Sequence, residues 1–304
     1  MSAAIPVTPA ATLRGIALMT LAMLGFAVTD TFIKLLAGTM ATGQILLALG
    51  VGGALLFAGI ARAGGHALWS RDFFDPRVLL RNGFEILGTF GFVTAITLGP
   101  LSTASAVIQA NPLIVTLGAA LFLGEPVGPR RWAAIVTGLL GVLLIIQPWT
   151  ESFEPAALFA VLAVFGLAFR DLATRAVPKR IATSVLSSYA LAMLVPLGAV
   201  LMILPGGGDW SLPGLRDGML LTLAVLTSAV AYWAITASMR TGDVGSVTPF
   251  RYTRIVFALI LAALVFGETI DTLTLTGAAI VVASGLYTLL RTRARALSSS
   301  PAAR

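Results

Sequence analysis

The stretch GFAVTDTFIK, Gly25 to Lys34, ends a long apolar run and places two charged residues, Asp30 and Lys34, four positions apart. A second stretch, GLAFRDLATR, has the same pattern 141 residues further along the chain. The two share a glycine, an alanine, an aspartate and a base, which align as Gly25 with Gly166, Ala27 with Ala168, Asp30 with Asp171 and Lys34 with Arg175. A charged pattern that recurs inside apolar sequence indicates an internal duplication.

A second repeated motif gives the size of the repeated unit. ALFLGEP, residues 120–126, resembles ALVFGET, residues 263–269, and aligns Glu125 with Glu268 at a spacing of 143 residues. The two repeated motifs occur in the same order in each half of the chain. We therefore predict two domains, residues 1–150 and residues 151–304, that are copies of one structural unit.

The composition is that of an integral membrane protein. Hydrophobic residues make up 58% and charged residues 11% of the 304 residues, with a mean hydropathy of +0.96. A soluble domain is about 45–50% apolar and about 25% charged. Cysteine is absent and His66 is the sole histidine, so no disulfide and no metal or other cofactor is expected. The basic residues are scattered singly, which argues against nucleic acid as a partner.

Ten apolar segments are long enough to cross a bilayer, because a membrane helix needs roughly 20 mostly apolar residues. The predicted spans are 13–36, 43–62, 79–98, 103–123, 131–148, 156–176, 183–204, 216–238, 247–266 and 272–290. The predicted fold is therefore an all-α integral membrane protein with five helices in each half. The first span is expected to be retained rather than cleaved as a signal peptide.

Lys and Arg residues indicate the orientation, because they accumulate at the cytoplasmic ends of membrane helices. With the N-terminus inside, only Lys34 and Arg216 of the 20 Lys and Arg residues fall at outer ends, and Arg251 and Arg254 lie within a span. The remaining 16 fall at inner ends: Arg14, Arg62, Arg71, Arg77, Arg81, Arg130, Arg131, Arg170, Arg175, Lys179, Arg180, Arg240, Arg291, Arg293, Arg295 and Arg304. We therefore predict a multi-pass protein of the bacterial inner membrane with both termini in the cytoplasm.

Five helices is an odd number, so the second unit must enter the membrane from the opposite side. Inverted repeats of this kind are common in transporters, which bind substrate near the midplane between the repeats. The sequence has no GxxxxGK[ST] phosphate loop and no convergent set of catalytic side chains. These observations favour a transporter over an enzyme, and a channel stays an alternative because some channels also carry inverted repeats.

These features together resemble the EamA-type members of the drug/metabolite transporter superfamily. The resemblance rests on the ten spans, the two halves, the acid and base late in the first helix of each half, and the Gly-Glu that ends each fourth helix. The resemblance covers nearly the whole chain. The sequence as a whole is similar to bacterial aromatic amino-acid exporters of the YddG type. The resemblance implies a central cavity surrounded by helices of both halves, and small metabolites as substrates.

Ionisable groups inside a span cost about 2.5–3.5 kcal/mol at the bilayer centre, so each needs a partner, water or a function. Glu85 lies about two turns inside the third span, and Arg251 and Arg254 lie three residues apart early in the ninth. Such groups either form a structural ion-pair network or bind a charged substrate, since arginine takes a carboxylate bidentately.

The two acid–base pairs of the repeat, Asp30 with Lys34 and Asp171 with Arg175, are spaced i,i+4. Each pair therefore shares a helix face and is predicted to form an ion pair. Each pair either anchors its helix end at the interface or gates one mouth of a central pathway.

The repeat alignment adds polar and aromatic candidates. Arg254 aligns with Asn111, so one cluster is charged where its counterpart is neutral. Tyr232 and Trp233 are candidates for stacking on a substrate, although either can instead face lipid. The predicted substrate-binding or cavity-lining residues are Glu85, Gln109, Asn111, Tyr232, Trp233, Arg251, Tyr252 and Arg254.

The charge asymmetry favours loading of an acid-bearing small molecule from the cytoplasm. The hypothesis is export of small metabolites by alternating access, amino acids including aromatic ones among them. Uptake of metabolites such as S-adenosylmethionine and multidrug efflux are the alternatives on the same fold. Transport is driven by the substrate gradient or coupled to an ion, and the candidate proton carriers are Asp30, Glu85 and Asp171.

Overall fold

Ten helices form the computed structural model, which describes residues 9–68, 70–125, 127–151, 153–178, 180–204, 209–241 and 244–298. They are α1 (Pro9–Leu36), α2 (Thr42–Ala63), α3 (Pro76–Leu98), α4 (Leu101–Phe122), α5 (Pro129–Ile146), α6 (Ala157–Thr174), α7 (Thr183–Ile203), α8 (Leu215–Thr241), α9 (Thr248–Phe266) and α10 (Thr272–Ser298). No strand occurs within the described ranges, and the predicted all-α membrane fold is confirmed. Lys179 and Arg304, used above for orientation, lie outside the described residues.

Nine of these helices, counted over the described residues, are long and apolar enough to cross a membrane. The tenth, α3, has 23 residues but carries Arg81, Asn82 and Glu85 in its first three turns, which lowers its hydropathy. Arg81 and Asn82 are buried inside the protein. A polar helix of this kind can cross a bilayer when its ionisable residues face the bundle interior.

The helices of the two halves are interleaved. α1 packs along α8, and α3 packs along α6, which repeats the same pairing in the inverted unit. α2 packs against α7, α4 against α9 and α5 against α10, so each of these pairs joins equivalent helices of the two halves. The chain is thus two inverted five-helix repeats, as the odd number of helices per unit requires.

Small residues set the closest helix approach. A Cβ at Gly166 of α6 would lie 2.6 Å from the Cα of Gly88 in α3, and closer still to the Gly88 amide nitrogen. At the equivalent crossing of α1 and α8, a Cβ at Gly25 would lie 3.0 Å from the Ala231 Cβ. Close backbone approach through small residues is the usual way in which membrane helices associate.

The fourth helix of each repeat is interrupted at the same place. A 3₁₀ turn, Ile108–Ala110, divides α4. A 3₁₀ turn, Thr248–Tyr252, separates a short helix, Val244–Val247, from the rest of α9. Pro112 follows the first turn by two residues and Pro249 lies within the second, and proline is a usual cause of such interruptions. These irregular turns carry Gln109, Arg251 and Tyr252 toward the centre of the protein.

Both fourth helices also end alike. Gly124 and Gly267 each have φ of +64°, in the left-handed region that favours glycine. The amide of the glutamate that follows each glycine, Glu125 or Glu268, returns to a helix carbonyl at 3.2 Å. The repeated Gly-Glu motif therefore ends both fourth helices in the same way, and this ending fixes the position of the glutamate.

The chain meets the membrane at two faces. We call the side where α1 begins the N-terminal face (residues 64–68, 70–75, 123–125, 127–128, 175–178 and 180–182). The other side is the opposite face (residues 37–41, 99–100, 147–151, 153–156, 204, 209–214 and 267–271). The largest cluster of buried apolar side chains fills the half nearer the opposite face and includes Ile33, Ile96, Leu101 and Ile145. The half nearer the N-terminal face contains two smaller buried clusters and a cavity.

Candidate functional site

A cavity of about 490 Å³ lies between helices of both repeats. Its walls come from α1, α2, α3, α4, α6, α7, α8 and α9. Arg81 near the start of α3, Thr174 at the end of α6 and Thr183 at the start of α7 line it, so it extends toward the N-terminal face. Its size is in the range of small-molecule sites.

An ion-pair network crosses the cavity from α3 to α4. Arg81 Nη2 lies 2.6 Å from Glu85 Oε2. Arg170 of α6 bridges two acids, with Nη1 2.9 Å from Glu85 Oε1 and Nη2 2.7 Å from Asp171 Oδ1. The Asn111 amide donates to Asp171 Oδ2 at 3.2 Å. Both carboxylates that line the cavity are therefore already held by arginines.

The second charged contact joins α9 to α1. Arg254 Nη2 donates to Asp30 Oδ2 at 2.7 Å, and the Asp30 side chain is 6% exposed. The Arg254 guanidinium also lies 5.4 Å from the centroid of the Phe26 ring and 5.1 Å from that of Phe92. Cation–π attraction and the carboxylate together stabilise this charge away from water.

The two repeats contribute equivalent contacts of different charge. Asp30 and Asp171 are equivalent, and so are their partners Arg254 and Asn111. In the second unit the positive charge comes instead from Arg170, the neighbour of Asp171. The same contact between a first helix and a fourth helix is thus an ion pair on one side and an amide–carboxylate hydrogen bond on the other.

A further equivalent pair lies at each membrane face. Lys34 Nζ lies 3.4 Å from Glu268 Oε1 at the opposite face, and Arg175 Nη1 lies 2.7 Å from Glu125 Oε1 at the N-terminal face. The side chains of Lys34 and Glu268 are 17% and 14% exposed, whereas those of Arg175 and Glu125 are 51% and 46% exposed. The protein is therefore more tightly closed at the opposite face than at the N-terminal face.

Glu268 also caps the start of α4. It accepts hydrogen bonds from the amides of Leu101 and Ser102 at 2.8 and 3.0 Å, and from Ser102 Oγ at 2.6 Å. Burial alone would raise the pKa of Glu268, but these hydrogen bonds and the charge of Lys34 outweigh burial and hold the pKa below its ordinary value. The ionised carboxylate thus ties the end of α9 to α1 and α4 at once.

Arg251 differs from the other arginines of the cavity. It lines the cavity, but no ion pair or hydrogen bond joins its side chain to any residue that the structure describes. Asp171 attracts it electrostatically, while Arg170 and Arg254 repel it. It is therefore a cation in the cavity that has no ion-pair or hydrogen-bond partner in the described part of the chain.

The wall of the cavity at α2, α7 and α8 is largely uncharged. The Tyr232 hydroxyl lies 3.2 Å from Ser187 Oγ, and the Tyr232 ring packs edge-on against Phe57 with a centroid distance of 5.0 Å. Leu186 and Leu191 complete this wall. It offers hydroxyl groups within an aromatic and aliphatic surface, from Thr183, Ser187, Ser228 and Tyr232.

The structure brings most of the predicted site residues together and leaves one outside. Trp233 is 62% exposed and does not line the cavity, because its neighbour Tyr232 points inward and successive residues of a helix are about 100° apart. The predicted residues that do line the cavity are Glu85, Gln109, Asn111, Tyr232, Arg251, Tyr252 and Arg254.

The predicted pairing within each first helix is not formed. Asp30 pairs with Arg254 of another helix, and Lys34 with Glu268, although the two lie one turn apart on α1. Likewise Asp171 pairs with Arg170, and Arg175 with Glu125. Asp30, Lys34 and Arg175 therefore take ion-pair partners from other helices or their ends. Asp171 instead pairs with its neighbour on α6, and its contact to another helix is the hydrogen bond from Asn111.

Sequence reasoning missed two residues of the network, Arg81 and Arg170, which were assigned to topology alone. The repeat contained a signal for the second, because Thr29 stands where its counterpart is Arg170, beside the shared aspartate. Phe57 and Ser187 gave no signal, since they lie in helices without charged residues near them.

Comparison with known proteins follows the same two halves. The model of the EamA-like transporter family matches residues 13–147 and again residues 154–290. A riboflavin transporter of Vibrio cholerae is 33% identical over 186 residues, 61% of this chain and 61% of that protein. An S-adenosylmethionine uptake transporter of Rickettsia felis is 28% identical over 69% of this chain and 70% of that protein.

A pseudopaline exporter of Pseudomonas aeruginosa is 28% identical over 271 residues, which cover 88% of this chain and 93% of that protein. These relatives carry different substrates, and their names include both uptake and export. All of them are transporters, and the family model covers both repeats. The chain therefore belongs to the EamA-like transporter family, within the drug/metabolite transporter superfamily.

Proposed function

We propose that this protein exports small, acid-bearing metabolites across the bacterial inner membrane by alternating access, amino acids including aromatic ones among them. The observation that carries the proposal is the polar cavity between the repeats, with an arginine that has no partner among the described residues. The residues proposed to contact or surround substrate are the predicted ones that line this cavity. Arginine suits an acid group because its planar guanidinium can bind a carboxylate through two hydrogen bonds.

Alternating access is supported by the pairs at the two faces. Lys34–Glu268 and Arg175–Glu125 are equivalent in the repeat, yet the first is largely buried and the second is half exposed. If the repeats exchange conformations, the two pairs exchange environments, and the cavity then faces the other side. We infer that residues 1–150 and 151–304 are the two units that move, with these pairs as gates.

The direction of transport rests on orientation. The distribution of Lys and Arg favours both termini in the cytoplasm. With that orientation, the cavity of this conformation extends toward the cytoplasm and is poised to load from inside. Uptake is the second candidate, favoured by the riboflavin and S-adenosylmethionine relatives. The pseudopaline exporter favours export and matches more of this chain.

Orientation and function are tested separately. Single cysteines in the loops 64–75 and 37–41, introduced into a chain that has none, should react with an impermeant thiol reagent only from inside and only from outside, respectively. Proteoliposomes loaded with an unlabelled amino acid should then accumulate the labelled amino acid by counterflow. Robust counterflow of some other metabolite, without any of amino acids, would overturn the substrate proposal while leaving transport standing.

Proton coupling stays a prediction. Asp30, Glu85 and Asp171 each pair with an arginine in this conformation, so a proton can replace that arginine only when the repeats move apart. If any of the three carries a proton, an imposed pH gradient should accelerate substrate flux into proteoliposomes that contain no unlabelled substrate. The same flux with and without the gradient would identify a uniporter or exchanger.

A further inference from the structure

The charges that line the cavity do not cancel. Among the residues that the structure describes, four arginines line it, namely Arg81, Arg170, Arg251 and Arg254. They face two carboxylates of the lining and a third, Asp30, behind Arg254. One positive charge is therefore left over when all groups are ionised.

Both carboxylates of the lining already have arginine partners. Glu85 uses one oxygen for Arg81 and the other for Arg170. Asp171 uses one oxygen for Arg170 and the other for Asn111. Displacing the Arg81 contact would leave that arginine without a carboxylate, and displacing either contact of Arg170 would leave it one carboxylate in place of two. Loss of an ion pair in a largely buried site is unfavourable. Among the described residues that line the cavity, an ammonium group on a substrate thus finds no carboxylate that lacks an arginine partner.

The surplus charge is localised at Arg251. Its guanidinium lacks any ion-pair or hydrogen-bond partner among the described residues, whereas Arg81, Arg170 and Arg254 each have a carboxylate within 2.9 Å. An unpaired cation in a membrane protein is costly and therefore seldom present without a function. An anion that reaches Arg251 relieves this cost without breaking any existing contact.

The rest of the cavity favours an uncharged remainder on the substrate. The wall formed by Phe57, Tyr232 and Leu186 is aromatic and aliphatic, with the Tyr232 hydroxyl as a polar tip. A ring or chain can pack there while an acid group reaches Arg251.

We infer that the substrate of this site is a net anion, whose acid group pairs with Arg251 while an uncharged remainder packs on the Phe57–Tyr232 wall. This inference rests on the proposed transport function and narrows it. Among acid-bearing metabolites, those without an ammonium group bind better than zwitterions, and cations are rejected. Neutral and cationic compounds do not fit this charge pattern. S-adenosylmethionine, the compound in the name of the Rickettsia relative, is such a cation.

Three probes with one skeleton test it. 3-Phenylpropionate, phenylalanine and phenethylamine share a phenyl ring and a two-carbon chain, and they carry an anionic, a zwitterionic and a cationic end. Equilibrium binding to the purified protein in lipid nanodiscs avoids passive leakage of the probes. We expect saturable binding of 3-phenylpropionate at millimolar concentration, weaker binding of phenylalanine, and none of phenethylamine.

Variants assign the effect to Arg251. Arg251→Gln should weaken 3-phenylpropionate binding about tenfold or more, as expected for loss of a charge-assisted hydrogen bond. Arg251→Lys should recover part of it, because lysine keeps the charge but not the planar fork. Arg62→Gln removes an exposed charge at the end of α2 and should change nothing. Because Arg251 has no partner in the described residues, Arg251→Gln should also melt at no lower temperature than the unmodified protein.

The outcomes separate this inference from the proposed function. Phenylalanine or phenethylamine binding as tightly as 3-phenylpropionate, no saturable 3-phenylpropionate binding, or full affinity in Arg251→Gln would each overturn the net-anion assignment. Counterflow of amino acids in proteoliposomes would still support the proposed function in those cases. Graded binding without any counterflow would support the assignment and count against transport of these metabolites.

Discussion

Asp30 of α1 accepts a 2.7 Å hydrogen bond from Arg254 of α9, and the two residues lie 224 positions apart in the chain. The contact joins the first helix of one repeat to the fourth helix of the other. The equivalent contact of the inverted unit, Asn111 with Asp171, measures 3.2 Å and has a neutral donor. One architectural contact is therefore built twice, and only one copy is an ion pair.

Asp30→Asn should destabilise the protein far more than the equivalent change at Asp171. Removing one partner of a buried ion pair leaves an uncompensated charge, which costs about 3–5 kcal/mol. Asp171→Asn leaves Arg170 with Glu85 as a remaining partner, so its cost should be smaller. Thermal unfolding of both variants in the same detergent measures the difference, and equal melting temperatures would refute a special role for Asp30.

The closure of the opposite face should depend on Glu268. Glu268→Gln removes the charge that holds Lys34 and weakens the cap on Leu101 and Ser102. With Met23→Cys as a reporter inside the cavity, we expect a clear increase in labelling by an impermeant thiol reagent applied from the opposite face. All labelling then comes from the reporter, because the unmodified chain contains no cysteine.

Glu125→Gln is the matched control for that experiment. It breaks the equivalent pair at the N-terminal face, where Arg175 and Glu125 are already half exposed. Labelling of the reporter from the opposite face should not change. An equal increase in both variants would mean that loss of the charge loosens the whole protein rather than one gate.

The contribution of Glu268 should disappear in acid. Its folded-state pKa is lowered, so the stabilisation is present above the ordinary glutamate pKa of about 4.3 and is lost as pH falls through the folded value. The unmodified protein should therefore melt above Glu268→Gln near neutral pH, and the gap should close as pH falls toward and below 4. A gap that is constant across this range would show that the carboxylate charge is not what stabilises the gate.

The repeat in the sequence predicts the fold because both halves keep the lengths of the apolar segments and the positions of the charged residues. Each observed helix begins within four residues of its predicted start. The pairing of charges is less predictable, because the i,i+4 rule describes an isolated helix, while a buried acid such as Asp30 takes whichever guanidinium packing brings to it. The orientation of Tyr232 and Trp233 depends on helix rotation, which two adjacent aromatic residues in an apolar helix do not specify.

The glycine shared by the two opening stretches should tolerate alanine in one copy and not in the other. Gly166→Ala would drive its methyl group into the backbone of Gly88, which can move only if α3 and α6 separate. Gly25→Ala meets the Ala231 methyl group at 3.0 Å, which a shift of a few tenths of an ångström relieves. We expect Gly166→Ala to lose folded protein or melt markedly lower, and Gly25→Ala to melt close to the unmodified protein, as measured by size-exclusion chromatography and thermal unfolding. If both variants behave alike, the tight approach of α3 and α6 is not what sets the stability of the bundle.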